Sequence, residues 1–178
     1  MRQISITLAE TAHWHALIGK AEHIACHLLP QGIEDYLIRL FMRIEREETT
    51  IFPQNQDQVT GTEEKLQKLA DQCLMLCGFY PEASEQYGVS MDEFISMGVE
   101  SYRKLASLEY GENEMIYEYL TENFKQVSEL LCYINSFSDK SIKRKFYKSS
   151  GSNIEVKTPI KHTGKISFSS PITYRVLN

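Results

Sequence analysis

Four groups of side chains in this sequence have types and spacings that could do chemistry. His23 and His27 are four residues apart, the spacing that places two imidazoles on one side of a helix and toward one metal ion. No Glu follows the first His, since residue 24 is Ile, so the metalloprotease pattern is absent, and no third ligand has a defined place. Both histidines project away from the apolar arc of their helix, and the expectation is a solvated polar face. Cys73 and Cys77 share the same i, i+4 spacing. They lack the Cys-x-x-Cys pattern of redox and zinc motifs and fall inside an apolar stripe, so they read as core residues. Cys26 and Cys132 have no partner at a readable spacing, and all four cysteines read as free thiols.

Asp71 is a third candidate. It lies in mid-helix, where Asp is a poor former, on the side away from Leu69 and Cys73. It is either an exposed surface carboxylate or an acceptor for a neighbouring helix. No nucleophile–base pair and no second placed carboxylate accompanies it. Gly-rich phosphate loops and the Glu-x-x-His spacing of di-iron bundles are also absent. The fourth group is Lys140-Ser141-Ile142-Lys143-Arg144-Lys145-Phe146-Tyr147-Lys148. Its cations suit phosphates and its aromatics suit bases, which makes nucleic acid a candidate partner through Lys143, Arg144, Lys145 and Lys148. An anionic membrane surface, or a strap held on an acidic body, suits the same run.

The charge pattern gives that last group its context. The chain has 178 residues and a formal net charge of −5. Residues 140–178 hold nine Lys or Arg against the single acid Glu155, a balance of +8, and the remainder holds ten against 23, a balance of −13. Such a split marks two units, here 1–138 and 139–178. No apolar run is long enough for a membrane span and no signal peptide opens the chain, so the expectation is a cytoplasmic protein.

The elements that position these residues read as helices. Leu66, Leu69, Ala70, Cys73, Leu74 and Cys77 repeat with helical period after a Thr60/Glu63 capping box, with Gly78 as a left-handed terminator before Pro81. Ser90 and Glu93 open a helix with Phe94, Ile95, Gly98, Tyr102, Leu105 and Ala106 inside, Gly98 admitting another backbone. One long helix is expected from about 112 to 137, and a shorter one carries Ile33, Leu37, Leu40, Phe41 and Ile44. The first helix, about 6–29, buries an arc of Trp14, Leu17, Ala21, Ile24, Ala25 and Leu28. Residues 47–61 read as a loop. Distributed methionines, Met42, Met75, Met91, Met97 and Met115, fit a helical core more readily than a groove. Beyond Gly151, alternation at Ile154/Val156, Ile166/Phe168 and Ile172/Tyr174/Val176 suggests partly β or disordered character.

The stretch Lys68-Leu69-Ala70-Asp71-Gln72-Cys73-Leu74-Met75-Leu76-Cys77-Gly78-Phe79-Tyr80 resembles an uncharacterised family of small all-helical bacterial, proteobacterial proteins, with its Leu-Gly-Asp and Gly-Phe-Phe elements. Val89 to Gly98, with Tyr102 and Leu105, is similar to the family's next helix, and the resemblance covers about 33–137. Ala70 stands where the family has Gly, Tyr80 and Pro81 replace Phe and a small residue, and the tail beyond 139 departs from the family's helical C-terminus. The resemblance implies a helical fold and supplies no reaction. The match of Asp71 to the family's Asp implies a structural or interface role with Tyr102 or Arg39.

The expectation is therefore an all-α antiparallel bundle of about five helices with a basic C-terminal extension. Its expected role is that of a non-enzymatic protein–protein interaction, adaptor or regulatory module, without cofactor, forming a homodimer or binding a protein partner. A nucleic-acid-associated protein acting through 140–148 is the alternative. A metal- or redox-linked protein using His23/His27 or Cys73/Cys77 is a second.

Overall fold

The computed structural model describes residues 2–47, 62–81 and 88–138. Among them are six helices and no strand: α1 Arg2–Ala25, α2 Gln31–Glu47, α3 Thr62–Phe79, α4 Met91–Leu108, α5 Glu112–Glu122 and α6 Phe124–Phe137. Of the expected loop at 47–61, Glu47 is the last residue of α2; the rest of it with Thr60 of the first capping box, and the extension 139–178 with its basic and alternating segments, lie outside the described residues.

The centre is the C-terminal half of α3. Every residue from Ala70 to Phe79 is buried, because α4 and α6 pack against α3 and the helix is enclosed on all sides rather than along one stripe. Helix α1 packs on α6 and α2, and α5 on α4. Trp14 stacks on Phe41 with ring centroids 4.3 Å apart, and Phe41 meets Phe79 at 5.8 Å, so α1, α2 and α3 share one aromatic seam.

Gly78 is helical and does not terminate α3 with a left-handed residue; Gly88 and Gly111 are the described glycines with positive φ. Its use is steric. A Cβ there would overlap Leu131 Cβ and lie 3.1 Å from the Ser128 carbonyl, so Gly78 lets α6 close on α3. Gly98 plays the same part on α4, against the Phe124 ring and Cys73 Cβ rather than against a backbone.

The capping box at Ser90 is formed: Glu93 N–H donates to Ser90 Oγ, and Ser90 N–H donates to Glu93 Oε2. The single helix expected over 112–137 is two. The break falls at Asn123, whose backbone N–H and side-chain amide both donate to the Tyr119 carbonyl, at 2.9 and 3.0 Å, before the next helix starts at Phe124.

The first helix also departs from expectation. It ends at Ala25, where Cys26 adopts φ 50 and His27 N–H donates back to the Glu22 carbonyl at 3.1 Å. Beyond that left-handed turn Leu29 is buried and Leu28 exposed, while Ile24, still helical, lies at the edge of the arc set by Trp14, Ile18 and Ala21 and is exposed as well. The buried positions are Trp14, Ile18, Ala21 and, unexpectedly, Glu22, whose carboxylate accepts from Leu29 N–H at 2.7 Å.

Candidate functional site

Two places draw the candidate residues together, one inside and one outside. The inner one is Asp71. Enclosure of α3 leaves its carboxylate fully buried, so it is not a surface group. Oδ1 accepts from the Tyr36 hydroxyl of α2 at 2.6 Å and from the Tyr102 hydroxyl of α4 at 2.7 Å. Oδ2 pairs with the Arg43 guanidinium. Tyr117 of α5 stacks on Tyr102 at 5.9 Å and meets Tyr36 edge-on at 6.1 Å. One carboxylate thus ties α3 to α2 and α4 beneath an aromatic cover from α5.

The electrostatics follow from burial. Desolvation raises the Asp71 carboxyl above its ordinary range, opposed by Arg43 and the two hydroxyls. Burial raises Tyr36 and Tyr102 well above 10.0, with the Asp71 charge adding to it, so both phenols keep their protons and act as donors. Through these bonds one carboxylate holds two helices on a third.

Of the residues linked to Asp71 from sequence, the structure brings in Tyr102 and not Arg39. Arg39 is exposed, and the cation is Arg43, one helical turn on. Tyr36 is the partner that sequence reasoning missed. Its signal lay in the i, i+7 placement of Tyr36 and Arg43 along the inner edge of α2.

The cysteine and histidine pairs are separate from this node. Cys73 and Cys77 are buried, and burial pushes both thiols up to about 12; Cys26 and Cys132 are exposed. His23 is exposed, but His27 is half-buried with Nε2 3.2 Å from the Tyr119 hydroxyl of α5, so the two do not present a matched pair. Among the described residues no group of three or more His, Cys, Asp or Glu is placed to hold a metal ion.

The outer place is the end of the molecule where the α1–α2 joint meets α5. The His27–Tyr119 contact fixes that meeting, and Gly32 lies against Ile116 and Glu112. Seven large apolar side chains are exposed among the described residues, and five of them, Ile24, Leu28, Leu108, Tyr110 and Met115, sit on this joint or on the adjoining α4–α5 turn. Leu28 and Tyr110 are 81% and 87% exposed. Helix α5 is acidic here, carrying Glu112, Glu114, Glu118 and Glu122 and no Lys or Arg, while the neighbouring part of α4 carries Arg103 and Lys104, both paired with Glu100. On its helical wheel Met115 lies between Glu112, Glu118 and Glu122, with Tyr119 beside it. The methionines do not share a groove, since Met75 is in the core and Met115 at this end.

No described helix is long and apolar enough to cross a membrane. The chain matches no protein-family model, no curated protein and no solved structure.

Proposed function

We propose that this chain is a non-enzymatic, cytoplasmic interaction module that binds a basic, apolar peptide segment of a protein partner at the end formed by the α1–α2 joint and α5. The observation that carries the reading is the exposure of Leu28 and Met115 next to the His27–Tyr119 contact, with the acidic helix α5 beside them. Apolar centres drive association and a charged rim selects the partner, here one rich in Lys and Arg. Two copies of this end would oppose like charges, which weighs against a homodimer built face to face through it. The paired state of Asp71 supports a structural use of that buried polar cluster.

The test is a titration of the full chain with a fluorescein-labelled amphipathic peptide of lysine and leucine. It is repeated on the chain carrying Lys143→Glu, Arg144→Glu and Lys145→Glu, so that its own basic run cannot compete. Affinity in the micromolar range corresponds to roughly 8 kcal/mol. Leu28→Asp with Met115→Asp is expected to weaken binding at least about tenfold, about 1.4 kcal/mol. No binding to either chain, or binding indifferent to the double substitution, removes the reading.

A further inference from the structure

The geometry points to Cys77 and Cys132 as a redox pair: a hydroperoxide oxidises the exposed thiol, and the buried one then closes a disulfide that bridges α3 and α6. The pair is independent of the apolar end of the molecule.

The backbones allow it. Ordinary helix pairs hold their axes about 8–10 Å apart, whereas a disulfide needs Cα atoms within about 4.4–6.8 Å. Two helices come that near where a residue without a side chain lets them close. Gly78 does so, since a Cβ there would overlap Leu131 Cβ. Cys77 precedes that glycine and Cys132 follows that leucine. One turn further along α6, the Asn135 side-chain amide donates to the Phe79 carbonyl at 2.9 Å and fixes the register.

The thiols meet at the same crossing. Cys132 Sγ donates to the Cys77 carbonyl at 3.8 Å, and standard bond lengths put that oxygen about 3 Å from the Cβ of Cys77. Burial pushes the Cys77 thiol up to about 12, and the neighbouring sulfurs of Cys73 and Cys132 add to it. Cys73 is turned elsewhere: its Cβ lies 3.0 Å from where a Cβ on Gly98 of α4 would stand.

The two exposures divide the work. Cys132 is exposed and meets the oxidant, while Cys77 is buried and meets only the sulfur beside it. In the first step the Cys132 sulfur attacks the hydroperoxide; its O–O bond breaks, an S–O bond forms, and an alcohol or water leaves with the thiol proton. In the second, the Cys77 sulfur attacks that of Cys132; the S–S bond forms, the S–O bond breaks, and hydroxide leaves with the Cys77 proton as water. Two thiols thus lose two electrons and the hydroperoxide gains them. Cys77 is almost wholly protonated near neutral pH, so the second step is slow, and brief labelling of the reduced chain reaches the exposed thiols alone. The cysteines are 55 residues apart with α4 and α5 between them, so the bridge restricts the unfolded chain and raises stability.

The experiment treats the full chain, reduced and freed of reductant, with hydrogen peroxide in buffer without urea. The product is alkylated, digested and mapped by mass spectrometry. The expected product is a monomer with the Cys77 and Cys132 peptides joined, which reductant restores and which unfolds at a higher urea midpoint than the reduced chain. Cys132→Ser, at an exposed position, is expected to abolish the link, and Cys26→Ser to leave it. In Cys77→Ser, trapping of the Cys132 sulfenic acid by dimedone is expected to rise several-fold. If that core variant fails to fold, the product map and Cys132→Ser decide the matter.

A Cys132 that ends as sulfinic acid with Cys77 still a thiol overturns the inference. So does a bridge from Cys132 to Cys73, to Cys26 or to a second copy. A Cys77–Cys132 bridge that forms only in urea, or that lowers the urea midpoint, overturns it as well, because the native packing would not then accept the bond.

Discussion

The Tyr102 hydroxyl donates to Asp71 Oδ1 across 2.7 Å, and that bond joins α4 to the enclosed centre of α3. Tyr36 repeats the contact from α2 on the same oxygen, and Arg43 closes the second oxygen. A buried carboxylate with every partner in place strengthens a fold, but removing one side leaves the others stranded.

Asp71→Ala strands two phenols and a guanidinium and is expected to cost about 2–4 kcal/mol, against about 1 kcal/mol for Tyr102→Phe. Urea denaturation measures both. Equal losses, or an Asp71→Ala chain as stable as the parent, would show that the cluster does not tie the helices.

Alkaline pH should loosen the fold. Tyr36 and Tyr102 have folded pKa values raised well above 10.0, and Cys73 and Cys77 are raised from 9.0 to about 12. The folded state holds these protons more tightly than the unfolded chain does. Their stabilisation is therefore fully present below about pH 9 and declines as pH rises through the raised values. The urea midpoint is expected to fall between pH 8.5 and pH 11, and a flat midpoint over that range contradicts the prediction.

Thiol labelling should divide the cysteines. Cys26 and Cys132 are exposed, whereas burial of Cys73 and Cys77 denies reagent both access and thiolate. Ellman's reagent under native conditions is expected to react at two sites, with the other pair released by urea. Mass spectrometry identifies them, and fast labelling at Cys73 would refute the assignment.

Cys26 occupies φ 50, a left-handed position that costs a side-chain-bearing residue roughly 1–2 kcal/mol. Cys26→Gly removes that strain at some entropic cost in the unfolded chain, so thermal unfolding should show a net gain of up to about 1 kcal/mol. Cys26→Val should lose stability. A gain with Val would mean that the turn is not left-handed.

Two helical glycines should respond oppositely to alanine. Nothing lies within 4 Å of a Cβ at Gly19, so Gly19→Ala is expected to gain up to about 1 kcal/mol from helix propensity alone. At Gly98 a Cβ would meet the Phe124 ring at 2.5 Å and Cys73 Cβ at 3.0 Å. The overpacking should cost about 1–3 kcal/mol and outweigh the same propensity gain. Matching effects at the two positions would rule out the close approach.

Much of the secondary structure was legible because it depends on neighbours in the chain. The Ser90–Glu93 box, the period of α2 and α4 and the arrest of α3 at Pro81 all follow from contacts within a turn or two. The failures share the opposite cause. Gly78 reads as a terminator until Leu131, more than fifty residues away, is seen pressed against it. Leu28 fits the apolar arc of α1, but the helix ends at Ala25 and the left-handed Cys26 turns the chain, leaving Leu28 exposed.

The candidate sites divide along the same line. Sequence alone determined that the chain has an acidic helical part and a basic extension, and that the Cys73/Cys77 stripe is apolar, since charge and period are local sums over residues. Only the tertiary structure decided that Asp71 meets Tyr36 and Arg43 rather than Arg39. Only it placed Leu28 and Met115 at one acidic end. Those facts depend on which helix faces which and through what rotation, and that is set by the closest packing of the whole core rather than by any segment.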